Sequence, residues 1–223
     1  DDITAVGTAA QTVDVQVNNG LIVTYTGLDT LLLQGKNGDD DFDIDVNTLT
    51  AVAITVDGGL PSSNVDTVTV TGTSGIDTPI FTPDAADSGS LAIGGLTGAS
   101  AISLTSIERL IVDGENQGET LTVNGQTDAD IITHTPGTAI DAGRIQVDNL
   151  LAVEYVSLGA TGAVTIDGRG GDDTLTATGT SSNDQFTLSD NATASLDADL
   201  DLVSTFGAHV DINIDGIERL VLE

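Results

Sequence analysis

The sequence predicts an all-β protein and, within that class, a right-handed parallel β-helix of about eight rungs of about 26 to 27 residues each. Apolar and polar residues alternate over many short segments, strand-like segments recur at a nearly constant spacing, and glycine-rich turns separate them. The alternation is clearest in DDFDIDV, where Phe42, Ile44 and Val46 share one face and the intervening aspartates share the other. We expect the apolar faces to form the core and the acids to face solvent.

The spacing comes from four segments that align without gaps, each with an acid, a Thr-rich strand and a polar turn. They are DDITAVGT from Asp1, DTVTVTGT from Asp66, ETLTVNGQ from Glu119 and DTLTATGT from Asp173. The last three begin about 53 residues apart, and half of that spacing is the expected length of one rung.

Eight positions that are about one rung length apart in the sequence each lie in or next to a strand-like segment. The positions are Asp14, Asp40, Asp66, Ala92, Glu119, Gln146, Asp173 and Asp199. Two further series of strand starts, one of them intermittent, favour three strands per turn. The chain is therefore expected to be one solenoid segment, 1–223, with internal superrepeats 1–118 and 119–223. Two Ig-like β-sandwich domains are the alternative, because a unit of about 110 residues also fits that fold.

Composition limits the partners of the chain. It has 35 Asp and Glu against 5 Lys and Arg, so the formal net charge of -30 repels nucleic acid and anionic membranes. No stretch approaches the about 18 apolar residues of a membrane span, so membrane insertion is not expected. A chain this rich in Asp, Thr and Gly suits an extracellular or cell-surface protein in a calcium-containing medium.

Two glycine-rich loops end in paired aspartates: GKNGDDDFD from Gly35 and GRGGDDTLT from Gly168. Both resemble the G-G-x-G-x-D-x-U-x nonapeptide of the RTX calcium-binding β-rolls, from which they differ at the second position. In that family, loop carbonyls and Asp carboxylates bind calcium between successive turns, so the resemblance implies Ca²⁺ here. The candidate metal-binding residues are Gly35, Gly38, Asp39, Asp40, Asp66, Gly168, Gly171, Asp172 and Asp173.

Electrostatics supports the same cation. With a constant rung, Asp14, Asp40 and Asp66 would stack in one column, and Glu119, Asp173 and Asp199 would lie further along it. Like charges opposite each other on neighbouring strands are destabilising, and a divalent cation with oxygen ligands relieves that repulsion. The alternative is that the acids lie on splayed turns and are hydrated.

Nearly the whole chain also resembles the β-strand-repeat regions of very large bacterial surface and secreted proteins. That resemblance implies an adhesin, surface-layer or stalk role. Because the ends of a β-helix expose unpaired backbone groups, the expected partners are flanking repeats or identical subunits stacked end to end.

Other functions have weaker support in the sequence. A polysaccharide-active β-helix enzyme needs basic groups and a catalytic base. The arginines and the lysine mostly occupy repeated positions, His134 replaces apolar residues of the sister repeats, and no Ser/His/Asp or zinc pattern can be assembled, so we expect no enzyme. Outward Thr4, Thr69, Thr122 and Thr176 could instead form a ladder that binds carbohydrate or ice, with surface glycans as partners. No specific ligand-binding residue can be named from the sequence.

Overall fold

The computed structural model describes residues 1–60, 65–94, 101–190, 198–204 and 207–223. These residues form 22 strands and no helix, which confirms the all-β class. Accordingly, the described ranges contain no helix with the length and apolarity needed to span a membrane.

The strands are short, and glycine-rich or acidic corners separate many of them. They are β1 (Asp2–Ala9), β2 (Thr12–Val17), β3 (Val23–Thr26), β4 (Thr30–Gln34), β5 (Asp41–Asp45), β6 (Ala53–Asp57), β7 (Thr67–Thr71), β8 (Thr78–Ala85), β9 (Ser88–Gly94), β10 (Ile102–Thr105), β11 (Arg109–Asp113), β12 (Thr120–Asn124), β13 (Ile131–Pro136), β14 (Gly143–Val147), β15 (Val153–Val156), β16 (Ala163–Asp167), β17 (Thr174–Ala177), β18 (Gln185–Asp190), β19 (Ala198–Ser204), β20 (Gly207–Ala208), β21 (Asp211–Asp215) and β22 (Arg219–Leu222).

The strands build two mixed sheets of 11 strands each. The first, sheet A, has the order β22-β17-β13-β14-β15-β11-β7-β5-β1-β2-β3. The second, sheet B, has the order β18-β19-β21-β16-β12-β8-β9-β10-β6-β4, with β20 paired to β19. At the usual strand separation, each sheet extends roughly 50 Å across its strands.

The chain crosses repeatedly between the sheets. From β4 to β7, each strand lies in the opposite sheet from the one before, and pairs in parallel with the strand two places away. At four places, three successive strands stay in one sheet and pair antiparallel: β1 to β3, β8 to β10, β13 to β15, and β18, β19 and β21. These triplets are what makes the sheets mixed.

The triplets also break the predicted constant rung. Asp40 and Asp66, at the starts of paired strands β5 and β7, are 26 residues apart, as predicted. Where a triplet intervenes, the corresponding separations are 42, 43 and 45 residues. The predicted single column is therefore divided, because Ala92, Glu119 and Asp199 belong to sheet B or its corners and the other five positions to sheet A.

The repeat of about 53 residues is a unit that changes sheet each time. Strands β7 to β11 follow the pattern A-B-B-B-A, β12 to β16 follow B-A-A-A-B, and β17 to β22 return to the first pattern, with β20 as a small addition. Similar sequences thus fold into similar units, but equivalent strands of successive units lie in opposite sheets.

Both sheets contribute to one hydrophobic core. The apolar side chains of β7 and β16 are fully buried: Val68 and Val70 in the first, Val164 and Ile166 in the second. The residues that alternate with them along each strand are partly exposed. The alternation predicted around Phe42 is confirmed, because the apolar side chains of β5 are buried. The apolar face of each of these strands therefore packs into the space between the two sheets.

Candidate functional site

The most regular polar feature is a set of acidic corners. In six of them, a glycine shortly after the end of one strand is followed, five residues later, by an acid directly before the next strand. The pairs are Gly35 and Asp40, Gly72 and Asp77, Gly114 and Glu119, Gly125 and Asp130, Gly168 and Asp173, and Gly179 and Asp184. Asp66 occupies the same place after the longer loop that follows Gly58. We call these seven residues the corner acids, and all except the partly buried Asp184 are buried.

Glycine is required in these corners because the acid side chain folds back onto it. A Cβ atom on Gly168 would lie 2.6 Å from Asp173 Oδ2 and 2.4 Å from Gly216 O. On Gly35 it would lie 2.3 Å from Asp40 Oδ2. Such contacts are too short for a carbon atom, so any other residue would displace the carboxylate.

The second loop positions, where the chain departs from the RTX motif, have a left-handed backbone. Lys36 has a φ of 82° and Arg169 a φ of 64°. This is a conformation in which glycine is the least strained residue. The two loops therefore bend as a glycine-rich loop does, although they carry long cationic side chains there.

Several corner acids bind the backbone of a neighbouring strand. Asp66 Oδ1 accepts a hydrogen bond from the Asp40 amide at 2.8 Å, and Glu108 Oε2 accepts one from the Asp66 amide at 2.8 Å. The terminal amine of Asp1 donates to Asp40 Oδ1 in the same manner. These bonds form a ladder along the starts of four adjacent sheet A strands, β1, β5, β7 and β11.

A second ladder repeats the arrangement further along sheet A. Asp173 Oδ1 accepts from the Asp130 amide at 2.8 Å, and Glu218 Oε2 accepts from the Asp173 amide at 2.6 Å. Because each bond joins an anion to a buried amide, it is stronger than a neutral hydrogen bond. The two ladders therefore hold the start of each strand against the next.

Other corner acids close their own loop. Asp77, Asp130 and Asp184 each accept, through Oδ2, a hydrogen bond from the amide four residues earlier, at 2.6 to 2.7 Å. Glu119 Oε2 accepts from the amides of Gln117 and Gly118. Asp130 thus takes part in both kinds of contact.

Burial disfavours the charged form of four carboxyl groups at these corners. Desolvation raises the pKa of Asp66, Glu108, Glu119 and Asp130, and the backbone amides that bind them offset part of that rise. The charged forms of these four carboxylates therefore depend on the donors close to them.

In the part of the chain that the structure describes, three buried carboxylate oxygens have no hydrogen-bond partner: Asp40 Oδ2, Asp173 Oδ2 and Glu119 Oε1. Asp40 and Asp173 are fully buried. Asp40 Oδ2 and Gly58 O both lie within 2.5 Å of the position that a Cβ on Gly35 would take, and Asp173 Oδ2 and Gly216 O both lie within 2.6 Å of the position that a Cβ on Gly168 would take. Two oxygens that face the same point repel each other unless a proton or a cation lies between them.

The structure separates the predicted metal-binding residues into two groups. Asp40 and Asp66 meet in the first ladder, next to Asp39, whose Oδ1 accepts from the Val65 amide at 3.2 Å. Asp173 belongs to the second ladder, and its neighbour Asp172 is exposed. Within the described ranges, no three Asp, Glu, His or Cys side chains converge as a metal site. Calcium binding stays a prediction.

The predicted threonine ladder is not formed. Thr4 and Thr69 lie in the same row of sheet A, but Asp43 stands between them. Thr122 belongs to β12 in sheet B, on the opposite sheet. The structure thus provides no continuous row of these residues for carbohydrate or ice.

The histidines are buried. His134 is in the core, as predicted, and its Nε2 lies 2.7 Å from the Tyr155 hydroxyl, while burial lowers its pKa to about 4. His209 Nε2 lies 3.2 Å from Ser204 Oγ. His209 Nδ1 has no hydrogen-bond partner in the described structure, so no carboxylate orients this imidazole as in a catalytic triad.

Sequence reasoning missed two residues of the ladders, Glu108 and Glu218. Both precede the Arg of the repeated segment IERL, so their shared position was visible as a repeat. Their partners were not visible, because Asp66 and Asp173 lie more than 40 residues earlier in the chain.

No family model, curated protein or solved structure matches this chain. The function must therefore be inferred from the residues of the chain itself.

Proposed function

We propose that this chain is an extracellular structural module of a bacterial surface or filament-forming protein, built as a β-solenoid and stabilised by calcium. The observation that carries the proposal is the regular series of buried corner acids, which repeats along the chain and serves to join strands. A feature that recurs in every unit suits a scaffold, since a catalytic or recognition site needs a distinctive set of residues at one place.

The strand path supports a solenoid. Outside the antiparallel triplets, successive strands alternate between two sheets that share one core, and the neighbours contributed by successive turns are parallel. Parallel pairing of this kind needs a crossover connection, which each turn of a solenoid supplies. The antiparallel triplets are accommodated as local additions to a turn.

Calcium would act at the unpartnered carboxylate oxygens. Asp173 Oδ2 is buried and, like Gly216 O, borders the space in front of Gly168, and Asp40 Oδ2 is buried and, like Gly58 O, borders the space in front of Gly35. Carboxylate and carbonyl oxygens are the ligands that calcium prefers, and a cation would relieve the repulsion within each pair. The remaining ligands would come from loop carbonyls and water.

Thermal unfolding tests this role directly. In millimolar calcium at fixed ionic strength, the melting temperature should rise by about 5 to 11 °C above its value in EDTA, since a ligand at 100 times its Kd adds about 2.7 kcal/mol. Magnesium, which requires a tighter octahedral site, should give a smaller rise. Equal melting temperatures in EDTA and calcium would refute calcium stabilisation.

Two adjacent aspartates supply a matched comparison. Asp173→Asn replaces the buried, unpartnered oxygen by an amide group and should reduce the calcium response, while Asp172→Asn changes an exposed residue and should preserve it. Equal responses in the two variants would place the cation elsewhere.

The extracellular role has its own test. Antibodies raised against the folded chain should label intact cells of the source organism without permeabilisation. Labelling that requires permeabilisation would contradict the surface assignment, whatever the calcium result.

A further inference from the structure

One end of the two-sheet structure exposes apolar residues that the same fold buries elsewhere. The segments NNGLIVTYT (18–26) and DNLLAVEYV (148–156) align without a gap and form the same part of a triplet, ending in β3 and β15 respectively. Leu21, Val23 and Tyr25 are 90%, 47% and 45% exposed, whereas the equivalent Leu151, Val153 and Tyr155 are 1%, 0% and 1% exposed.

The cause of this difference is the neighbouring strand. In the interior, β11 pairs in parallel with β15, so that Leu110 lies opposite Val153 and Val112 opposite Tyr155. At the end of sheet A, β3 is paired with β2 and is the terminal strand of the described sheet. Among the residues that the structure describes, no strand equivalent to β11 pairs with β3.

The opposite end of sheet A carries such a strand. β22 lies in IERLVL and β11 in IERLIV, and each strand pairs in parallel with a preceding Thr-rich strand. Their corners are also equivalent, because Glu108 accepts from the Asp66 amide just as Glu218 accepts from the Asp173 amide. β22 is the terminal strand at its end of the sheet, and its Leu222 is 43% exposed.

We propose that the β3 end binds the β22 end of a second copy of this chain, head to tail, in the register of β11 on β15. Leu220 of one copy would then lie opposite Val23 of the next, and Leu222 opposite Tyr25. This inference deepens the proposed structural role and rests on it, and it reproduces an interface that already exists inside the chain.

Sheet B shows that the junction would be incomplete. In the interior, β12 lies between β8 and β16. At the ends, β18 is the equivalent of β8 and β4 is the equivalent of β16, and nothing in the described chain corresponds to the strand between them. Two stacked copies would leave a slot one strand wide in sheet B, next to the exposed Leu32 of β4.

Electrostatic repulsion between copies also affects the proposed association. Each copy has a formal net charge of -30, so copies repel each other at low ionic strength. At 0.15 M salt the Debye length falls to about 8 Å, which screens most of this repulsion between the ends. Association should therefore strengthen as salt is added.

The experiment supplies the sheet B strand that two stacked copies would lack. Residues 113–129, which contain the corner after β11 and the strand β12, are attached after Leu222 in place of Glu223, the position equivalent to Asp113. Sedimentation velocity in 0.5 M NaCl should show weak self-association of the original chain. The extended chain should form head-to-tail oligomers at concentrations at least tenfold lower.

Variants identify the contact. Tyr25→Lys and Leu222→Lys should each weaken oligomerisation of the extended chain at least tenfold. Ile131→Lys should not, because it changes an exposed position on β13, which lies inside sheet A and is two strands from β22. Acrylamide quenching gives an independent reading: the chain has two tyrosines and Tyr155 is buried, so oligomerisation should protect Tyr25 from the quencher.

An extended chain that keeps its β-rich circular dichroism but remains monomeric would overturn the inference. So would oligomers that both Lys variants leave unchanged. Thermal melts of the same samples with and without calcium distinguish head-to-tail docking from calcium stabilisation. The chain can fail to oligomerise and still be stabilised by calcium, or it can oligomerise without any calcium response.

Discussion

Replacing Asp173 by Ala should destabilise the protein by about 2 kcal/mol. The change removes the acceptor of the Asp130 amide, a 2.8 Å bond in which Asp173 is fully buried. Leaving a buried donor unsatisfied costs about 1 to 3 kcal/mol. Loss of the unpartnered Oδ2 offsets part of this cost, which places the expected value near the middle of that range.

The assay is thermal unfolding followed by circular dichroism in EDTA, so that no divalent cation contributes. For a chain of this length, about 2 kcal/mol corresponds to a fall of about 4 to 8 °C in melting temperature. Asp172→Ala is the control, because it removes an exposed aspartate from the same loop and should change the stability by less than about 0.5 kcal/mol.

Asp40→Ala provides a graded comparison. Asp40 occupies the equivalent corner, but its donor is the nitrogen of Asp1, a residue whose side chain is 51% exposed, so its loss should cost less than that of Asp173. Equal melting temperatures for Asp173→Ala and Asp172→Ala would refute the assignment of the corner acids as strand-joining groups.

Two further predictions concern close packing and pH. Gly168→Ala should cost about 1 to 3 kcal/mol in a thermal melt because its Cβ would collide with Asp173. Gly170→Ala, whose Cβ would lie 3.7 Å from Thr127 O, should have little effect, and equal losses would contradict the steric account. Burial lowers the pKa of His134 from its ordinary 6.5 to about 4, so the unfolded chain binds the proton more tightly and about 3 kcal/mol of stability should be lost as the pH falls from 6.5 to 4. The raised pKa values of Asp66, Glu119 and Asp130 act in the opposite direction. Urea melts should therefore compare the original chain with the double variant His134→Phe, Tyr155→Phe at each pH. Parallel curves would show that His134 does not titrate in this way.

The sequence by itself determined the class of fold and the two faces of the strands. Alternation in β5 predicted that Phe42 and Ile44 are buried, because successive side chains of any extended strand point to opposite sides. The burial of His134 was predictable for a similar reason, since sister repeats carry apolar residues at its position. The regular interval between glycine and acid was also visible, although its meaning was not.

Tertiary structure alone decided which strands pair and which acids meet. Spacing placed Glu119 and Asp173 in one column, but the triplets put Glu119 at a corner that leads into sheet B and joined Asp173 to Asp130 and Glu218. An antiparallel triplet keeps the same local alternation as strands that cross between sheets, so periodicity cannot distinguish them. Pairing depends on contacts between residues more than 40 positions apart, and those contacts form only when both sheets close over one core.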